Sequence, residues 1–178
     1  MTTSLRLLVG TVTTLLLSLP GAASASTRTV TDADDATGRL DVAAATHGHD
    51  GRLVEHTIRM QRRWPSTVLE EGGVTIVFRI GDRYRTLEIE HRRGELVGEI
   101  CTETPRGSLR SCTRDVGLAR PDRFTLQVTL ASRLLKKQPL SSYEWRIVTL
   151  LDNGESGCTE TVCLDQVRDD DRWVRHRL

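Results

Sequence analysis

Aromatic side chains are scarce in this 178-residue chain, which holds two Phe, two Tyr and three Trp. So few rings leave little material for an aromatic-lined groove, and each exposed ring becomes worth locating. Lysine is nearly missing: Lys136 and Lys137 are the only two among 25 basic residues. Neither sign of charge prevails, with 25 Lys+Arg against 24 Asp+Glu. That balance argues against nucleic acid or an anionic membrane as a partner. No apolar run after Leu19 is long enough to span a bilayer. There is no G-x-S-x-G elbow, no phosphate-cradling glycine loop and no spacing that suggests a Ser-His-Asp triad. Glu70, Glu71, Glu88, Glu90 and Glu99 form no recognisable acid/base pair. These absences point to a non-catalytic protein, with a hydrolase the least favoured class.

What is present starts with "MTTSLRLLVGTVTTLLLSLPGAASAS". Arg6 precedes the apolar run Leu7 to Leu19, Pro20 and Gly21 break it, and Ala23-Ser24-Ala25 suits cleavage before Ser26. This pattern is a signal peptide over residues 1–25. The run of about 13 residues is short for a membrane anchor, which takes roughly 20. The absence of a cysteine at the cleavage site gives no sign of lipid anchoring. The expected product is secreted, extracellular or cell-wall associated, with no membrane insertion after cleavage. Residues 26–31 are expected to be a loose N-terminus, and 32–178 a single domain. An even set of cysteines (Cys101, Cys112, Cys158 and Cys163) after a signal peptide argues for disulfides, and four cysteines allow three connectivities.

Apolar runs of strand length recur, separated by turn residues. Leu40 to Thr46 comes first, followed by a turn at Asp50-Gly51. Val54, His56, Ile58 and Met60 alternate with polar residues, as a half-buried strand does. "VTIVFRI" (74–80) and "YRTLEIEHR" (84–92) flank the turn "GDR". Leu96 to Glu103 and Leu109 to Val116 form a hairpin centred on Arg106-Gly107, and that register sets Cys101 opposite Cys112. The other local pair is then Cys158–Cys163. Phe124 to Leu130 and Tyr143 to Leu151 complete the clear strands, and "ASRLLKKQP" allows one short helical turn. The fold class is therefore all-β: an antiparallel β-sandwich or jelly roll of about eight or nine strands.

Three groups of residues carry candidate chemistry. In "DADDATGRLD", Asp32, Asp34, Asp35 and Asp41 surround Gly38. Two accounts stand open: a structural calcium loop, or a solvated turn whose aspartates cap their own backbone. The loop is no EF-hand, because Ala36 and Thr37 occupy positions five and six. At about 1 mM calcium, a site with Kd of roughly 0.1–1 mM would add only ~0.4–1.4 kcal/mol. No other cofactor is indicated. His47, His49 and His56 invite a zinc reading. The plainer account is two surface-loop histidines and one semi-buried histidine in core phase. Phe78, Phe124 and Trp145 fall in strand phase, which leaves Trp64, Tyr84 and Trp173 as candidate ligand-binding rings. The run Asp169-Asp170-Asp171 with Arg172, Arg175, His176 and Arg177 is either a docking tail or an ordinary last strand. The cysteine-clipped loop 153–165 is a further preorganised surface.

The order of these pieces also resembles a group of small secreted β-sandwich proteins, mostly uncharacterised, from high-GC Gram-positive bacteria. The matching residues are Asp32, Asp35, Gly38, Leu40 and Asp41, then "RRW" at 62–64, "CTETVCLD" at 158–165 and "WVRHRL" at 173–178. Such proteins look like carbohydrate-binding-module jelly rolls at the level of fold, which implies a secreted sandwich and no particular substrate. The expected function is an extracellular interaction protein with a protein partner. A carbohydrate- or cell-wall-binding module is the alternative.

Overall fold

Period-two alternation becomes two stacked antiparallel sheets. The computed structural model describes residues 26–49, 52–103, 109–135, 141–152, 162–168 and 172–177. In chain order its strands are β1 (Ser26–Thr31), β2 (Val42–His49), β3 (Leu53–Met60), β4 (Gly72–Ile80), β5 (Arg83–Arg92) and β6 (Glu95–Glu103). They continue with β7 (Leu109–Thr113), β8 (Val116–Ala119), β9 (Thr125–Ala131), β10 (Ser142–Asp152), β11 (Val162–Gln166) and β12 (Val174–Arg177). The smaller sheet runs β1-β2-β3-β9-β8. The larger runs β11-β10-β4-β5-β6-β7, with β12 also pairing β10. Consecutive strands mostly stay together, so β1–β3 and β4–β7 are meanders.

Local chemistry sets the hairpins. The β5–β6 turn places Arg93 at φ 54° and Gly94 at φ 87°. Positive φ at both central residues is the type I′ pattern, which matches the twist of the strands it joins. The core lies between the sheets. Val54, Ile58 and Met60 of β3 and Leu126, Val128 and Leu130 of β9 are buried on one side. Ile76 and Phe78 of β4, Leu87 and Ile89 of β5, and Trp145 and Ile147 of β10 are buried on the other. Each such side chain adds about 1.5–3 kcal/mol of transfer free energy. Gly72 has a packing reason: a Cβ there would sit 2.3 Å from the Leu150 carbonyl oxygen.

The sandwich and the β6–β7 hairpin agree with expectation. Cys101 pairs with Cys112 in register and the two are disulfide-bonded. Cys158 lies outside the described residues, so the pair Cys158–Cys163 does too. The N-terminal residues differ from expectation. Residues 26–31 are not loose but form edge strand β1, in register with β2 from Ser26↔His49 to Thr31↔Ala44. Its polar composition, with Val30 the one apolar residue, conceals this strand, because an edge strand needs backbone partners more than apolar side chains. Strands β8 and β11, four and five residues long, were equally hidden by their length. Among the described residues two 3-10 turns occur instead of one, at Ser66–Glu70 and Ser132–Leu134.

Candidate binding face and two buried polar clusters

The three candidate rings separate into two environments. Trp64 is no surface platform, because it is 1% exposed and belongs to the core. Its indole N–H donates to the Phe124 carbonyl at 3.0 Å, and its backbone N–H donates to the Arg123 carbonyl at 3.1 Å. The Arg120 guanidinium stacks 4.0 Å from its ring centroid. Trp64 therefore packs as a core residue although it lies outside a strand.

Tyr84 and Trp173 do come together, with ring centroids 5.9 Å apart. Both belong to the outer face of the larger sheet. Tyr84 opposes Arg79 across β4–β5, and Arg79 opposes Glu144 across β4–β10. The Arg79 and Arg146 guanidiniums lie over the Trp173 ring, 4.6 and 5.0 Å from its centroid. Arg79 also donates from Nε to Glu144 at 2.6 Å. Further along the same face, Leu150 of β10 pairs with Leu164 of β11, and the two are 40% and 58% exposed. Most of loop 153–165 lies outside the described residues, and β11, in which it ends, supplies Leu164 of this apolar pair.

The histidines are arranged differently from the surface-loop account. "HGH" continues β2, and His47 opposes His56 across β2–β3 on the inner face. Both are fully buried, and His176 of β12 joins them at 4% exposure. Ring centroids of His47 and His176 are 4.1 Å apart, and those of His47 and His56 are 6.0 Å apart. Trp145 packs edge-on against both His47 and His56. His56 Nε2 and the Tyr143 hydroxyl are 3.3 Å apart. Burial pushes all three imidazoles down, His47 to about 4, His56 to about 3 and His176 to about 4. Positive neighbours add to this, notably Arg28 of β1 beside His47 and His176. The cluster is therefore neutral at pH 7. Among the described residues, no three metal-ligand atoms of these histidines converge, so the zinc arrangement is not formed. The tail residue His176 is a buried strand residue. Asp169 to Asp171 lie outside the described residues.

The acidic stretch divides as well. Asp34 pairs with Arg62 at 2.8 Å and is well exposed. Asp32 Oδ1 accepts the Arg168 backbone N–H at 3.1 Å. Arg62 Nη1 donates to the Gly38 carbonyl at 2.7 Å and the Ala36 carbonyl at 3.3 Å. Asp35 and Asp41 instead turn toward Asp165 of β11, and one carboxylate oxygen from each lies within 4.8 Å of the other two. Asp41 is 1% exposed and Asp165 4%. Asp165 Oδ2 accepts the Val42 N–H at 2.6 Å. Burial lifts Asp41 to about 7, aided by the Asp34 carboxyl and the Asp165 charge. Burial likewise lifts Asp165 to about 6, against the Val42 hydrogen bond that favours its anion. Glu99, Cys101 and Cys112 also meet, but both sulfurs are in the disulfide.

Residue-level reasoning missed two members of these clusters, Asp165 and His176. Each had a faint signal: a polar residue at the inward phase of a short alternating strand, "VCLDQ" or "VRHR". No family model, no curated protein and no solved structure matches this chain.

Proposed function

We propose that this protein is a secreted, non-catalytic binding module that engages an extracellular protein through the outer face of its larger sheet. One observation carries the reading: Tyr84 and Trp173 meet on that face, with two guanidiniums stacked on the tryptophan. Tyr, Trp and Arg are the residue types that concentrate binding energy in protein interfaces. Strands β4, β5 and β10 hold Arg79, Tyr84 and Arg146 on a rigid sheet, which lowers the ordering cost of binding. A flat sugar platform fits less well, because the two rings are tilted by 47° and arginines lie over Trp173. The signal-peptide pattern supports export, and the Cys101–Cys112 bond suits an oxidising compartment.

The test compares wild type, Tyr84→Ala and Trp173→Ala. Cross-linking with mass spectrometry reads binding to proteins of the culture supernatant, and sedimentation reads retention on peptidoglycan and insoluble polysaccharide. The expected result is one saturable protein partner, bound at least about tenfold more weakly by either variant. A partner bound equally by all three proteins, or retention on glycan that the substitutions abolish, overturns the proposal.

A further inference from the structure

We infer that Asp35, Asp41 and Asp165 bind a calcium ion that fastens the segment between β1 and β2 to strand β11. The site is independent of the proposed partner face, and its ligand set differs from the one the acidic stretch suggests in sequence. Asp32 accepts the Arg168 N–H and Asp34 pairs with Arg62 at the margin of the cluster, where Asp34 still lies beside Asp41, while Asp165 arrives from the other sheet.

The geometry is that of a built cradle. Oxygens from the three carboxylates already lie within 4.8 Å of one another. Two hard oxygens on a calcium ion, each 2.3–2.6 Å from it, are at most about 4.6–5.2 Å apart, so a spacing of this size allows all three to share one ion. Asp41 is the informative member. Its side chain is fully buried, and neither carboxylate oxygen meets a hydrogen-bond donor. The Arg62 guanidinium stands 3.8 Å from it, beyond hydrogen-bond length, and is committed to Asp34 and the Gly38 carbonyl. A buried carboxylate left in this condition is costly unless it takes up a proton or a cation completes it.

The donor set chooses among cations. Three carboxylates and no imidazole or free thiol suit a hard ion over zinc or copper. The crowded, irregular cluster suits calcium, which accepts variable geometry and adds water to fill its shell. Magnesium demands a near-octahedral arrangement and releases its waters reluctantly. The neighbourhood also says what the ion does. Thr37 Oγ1 lies 3.0 Å from Cys163 Sγ, Asp165 holds the Val42 N–H, and Thr149 donates to the Leu40 carbonyl. Residues 37–42 are thus stitched to β10 and β11 at several points, and the ion adds a fastening between Asp35 and Asp165.

Calorimetric titration with calcium chloride and melting curves in calcium, magnesium or EDTA test this on the intact protein. The expected outcome is one calcium per chain and a melting temperature raised by about 3–10 °C at 10 mM calcium, with a smaller rise in magnesium. Asp41→Asn and Asp165→Asn should each abolish the response, and an asparagine at 165 can still accept the Val42 N–H. Asp35→Asn, at an exposed position, weakens the response and stands in should a buried variant fail to fold. No binding heat and no melting shift up to 10 mM calcium overturns the inference. So does a calcium response that persists unchanged in the folded variants.

Discussion

Two buried polar clusters share this sandwich, and burial acts on them in opposite senses. Around His47, His56 and His176, exclusion of water favours the neutral imidazole, which is also the form dominant in water at pH 7. The cluster therefore rests between the sheets like a set of polar rings, packed against Phe78, Trp145 and Tyr143. Around Asp41 and Asp165, exclusion of water also favours the neutral form, but that form is not the one water prefers at pH 7. The same physics makes one cluster a core component and the other a group of carboxylates whose nearest guanidinium, Arg62, stops 3.8 Å from Asp41. Burial of a titratable residue, taken alone, thus does not separate structure from function. The sign of the buried form's departure from its form in water does.

The linkage follows from those signs. The folded values of the three histidines lie below the ordinary 6.5, so their contribution is complete above about pH 6.5. It is lost as the pH falls through about 4, because the unfolded chain takes up protons the folded one refuses. Asp41 and Asp165 behave in reverse. Their folded values lie above the ordinary 3.8, so their contribution is present below about pH 4 and lost as the pH rises through about 6 to 7.

The largest expected effect is therefore acid destabilisation. Three protons taken up on unfolding set a limiting slope of about 4 kcal/mol per pH unit from the histidines alone, and the protons that folded Asp41 and Asp165 hold offset up to two of the three, leaving a net fall of about 1.4 kcal/mol per pH unit. Urea unfolding followed at successive pH values from 7 to 4 should show stability falling across that window. The groups facing the cluster are Arg28 of β1, His49 of β2, Tyr143 of β10 and the three imidazoles themselves. A flat profile across that window would break the comparison.

Next in size is the core role of His56. His56→Ala leaves a cavity beside Phe78 and Trp145 and should cost about 2–4 kcal/mol. His56→Leu fills that space, should cost less than about 1.5 kcal/mol, and should reduce the acid slope. If the leucine variant were as damaged as the alanine one, the hydrogen bond to Tyr143 would outweigh packing. The Cys101–Cys112 bond serves as a control remote from both clusters. Replacing both cysteines by serine should cost about 2–3 kcal/mol by loop entropy, for a separation of 11 residues. The pH profile should keep its shape, which chemical denaturation of the variant across the same pH range would reveal.

The smallest effect probes the carboxylate side. Arg62 is nearly half exposed and bridges Asp34 and two loop carbonyls. Arg62→Ala should lower stability in EDTA by only about 0.5–1 kcal/mol. The stabilisation added by calcium should grow, since the nearby positive charge has gone. An unchanged calcium response would show that Arg62 is not electrostatically coupled to the three carboxylates.

Much of the fold was legible in the residues. Val54 to Met60 and Phe124 to Leu130 alternate cleanly, and they became β3 and β9 with their apolar side chains inward. The β6–β7 register was readable because a turn centre fixes every cross-strand pair beyond it. The candidate sites were only half legible. Of the other two candidate rings Tyr84 is exposed and Trp173 half-buried beneath two guanidiniums, and nothing in their spacing said that they touch. Trp64 was misplaced because it falls outside the strand phase that marks core residues, whereas Phe124 and Arg120 from another part of the chain cover it. His47 was assigned to a turn because "HGHDG" resembles one, yet pairing with Arg28 and His56 extends the strand through it.

Taken by itself, the sequence determined that the chain alternates, where it turns, which residues share a face of each strand and which cysteines face each other in the hairpin. These are local properties, governed by a two-residue period and by the backbone preferences of turn residues. Only the tertiary structure decided that Asp41 meets Asp165, that His47 meets His176 and that Tyr84 meets Trp173. A strand's period names the face on which a side chain stands, not the strand opposite it. Partners distant in sequence are chosen by how the two sheets are ordered and stacked, and that order depends on the burial of the whole core at once.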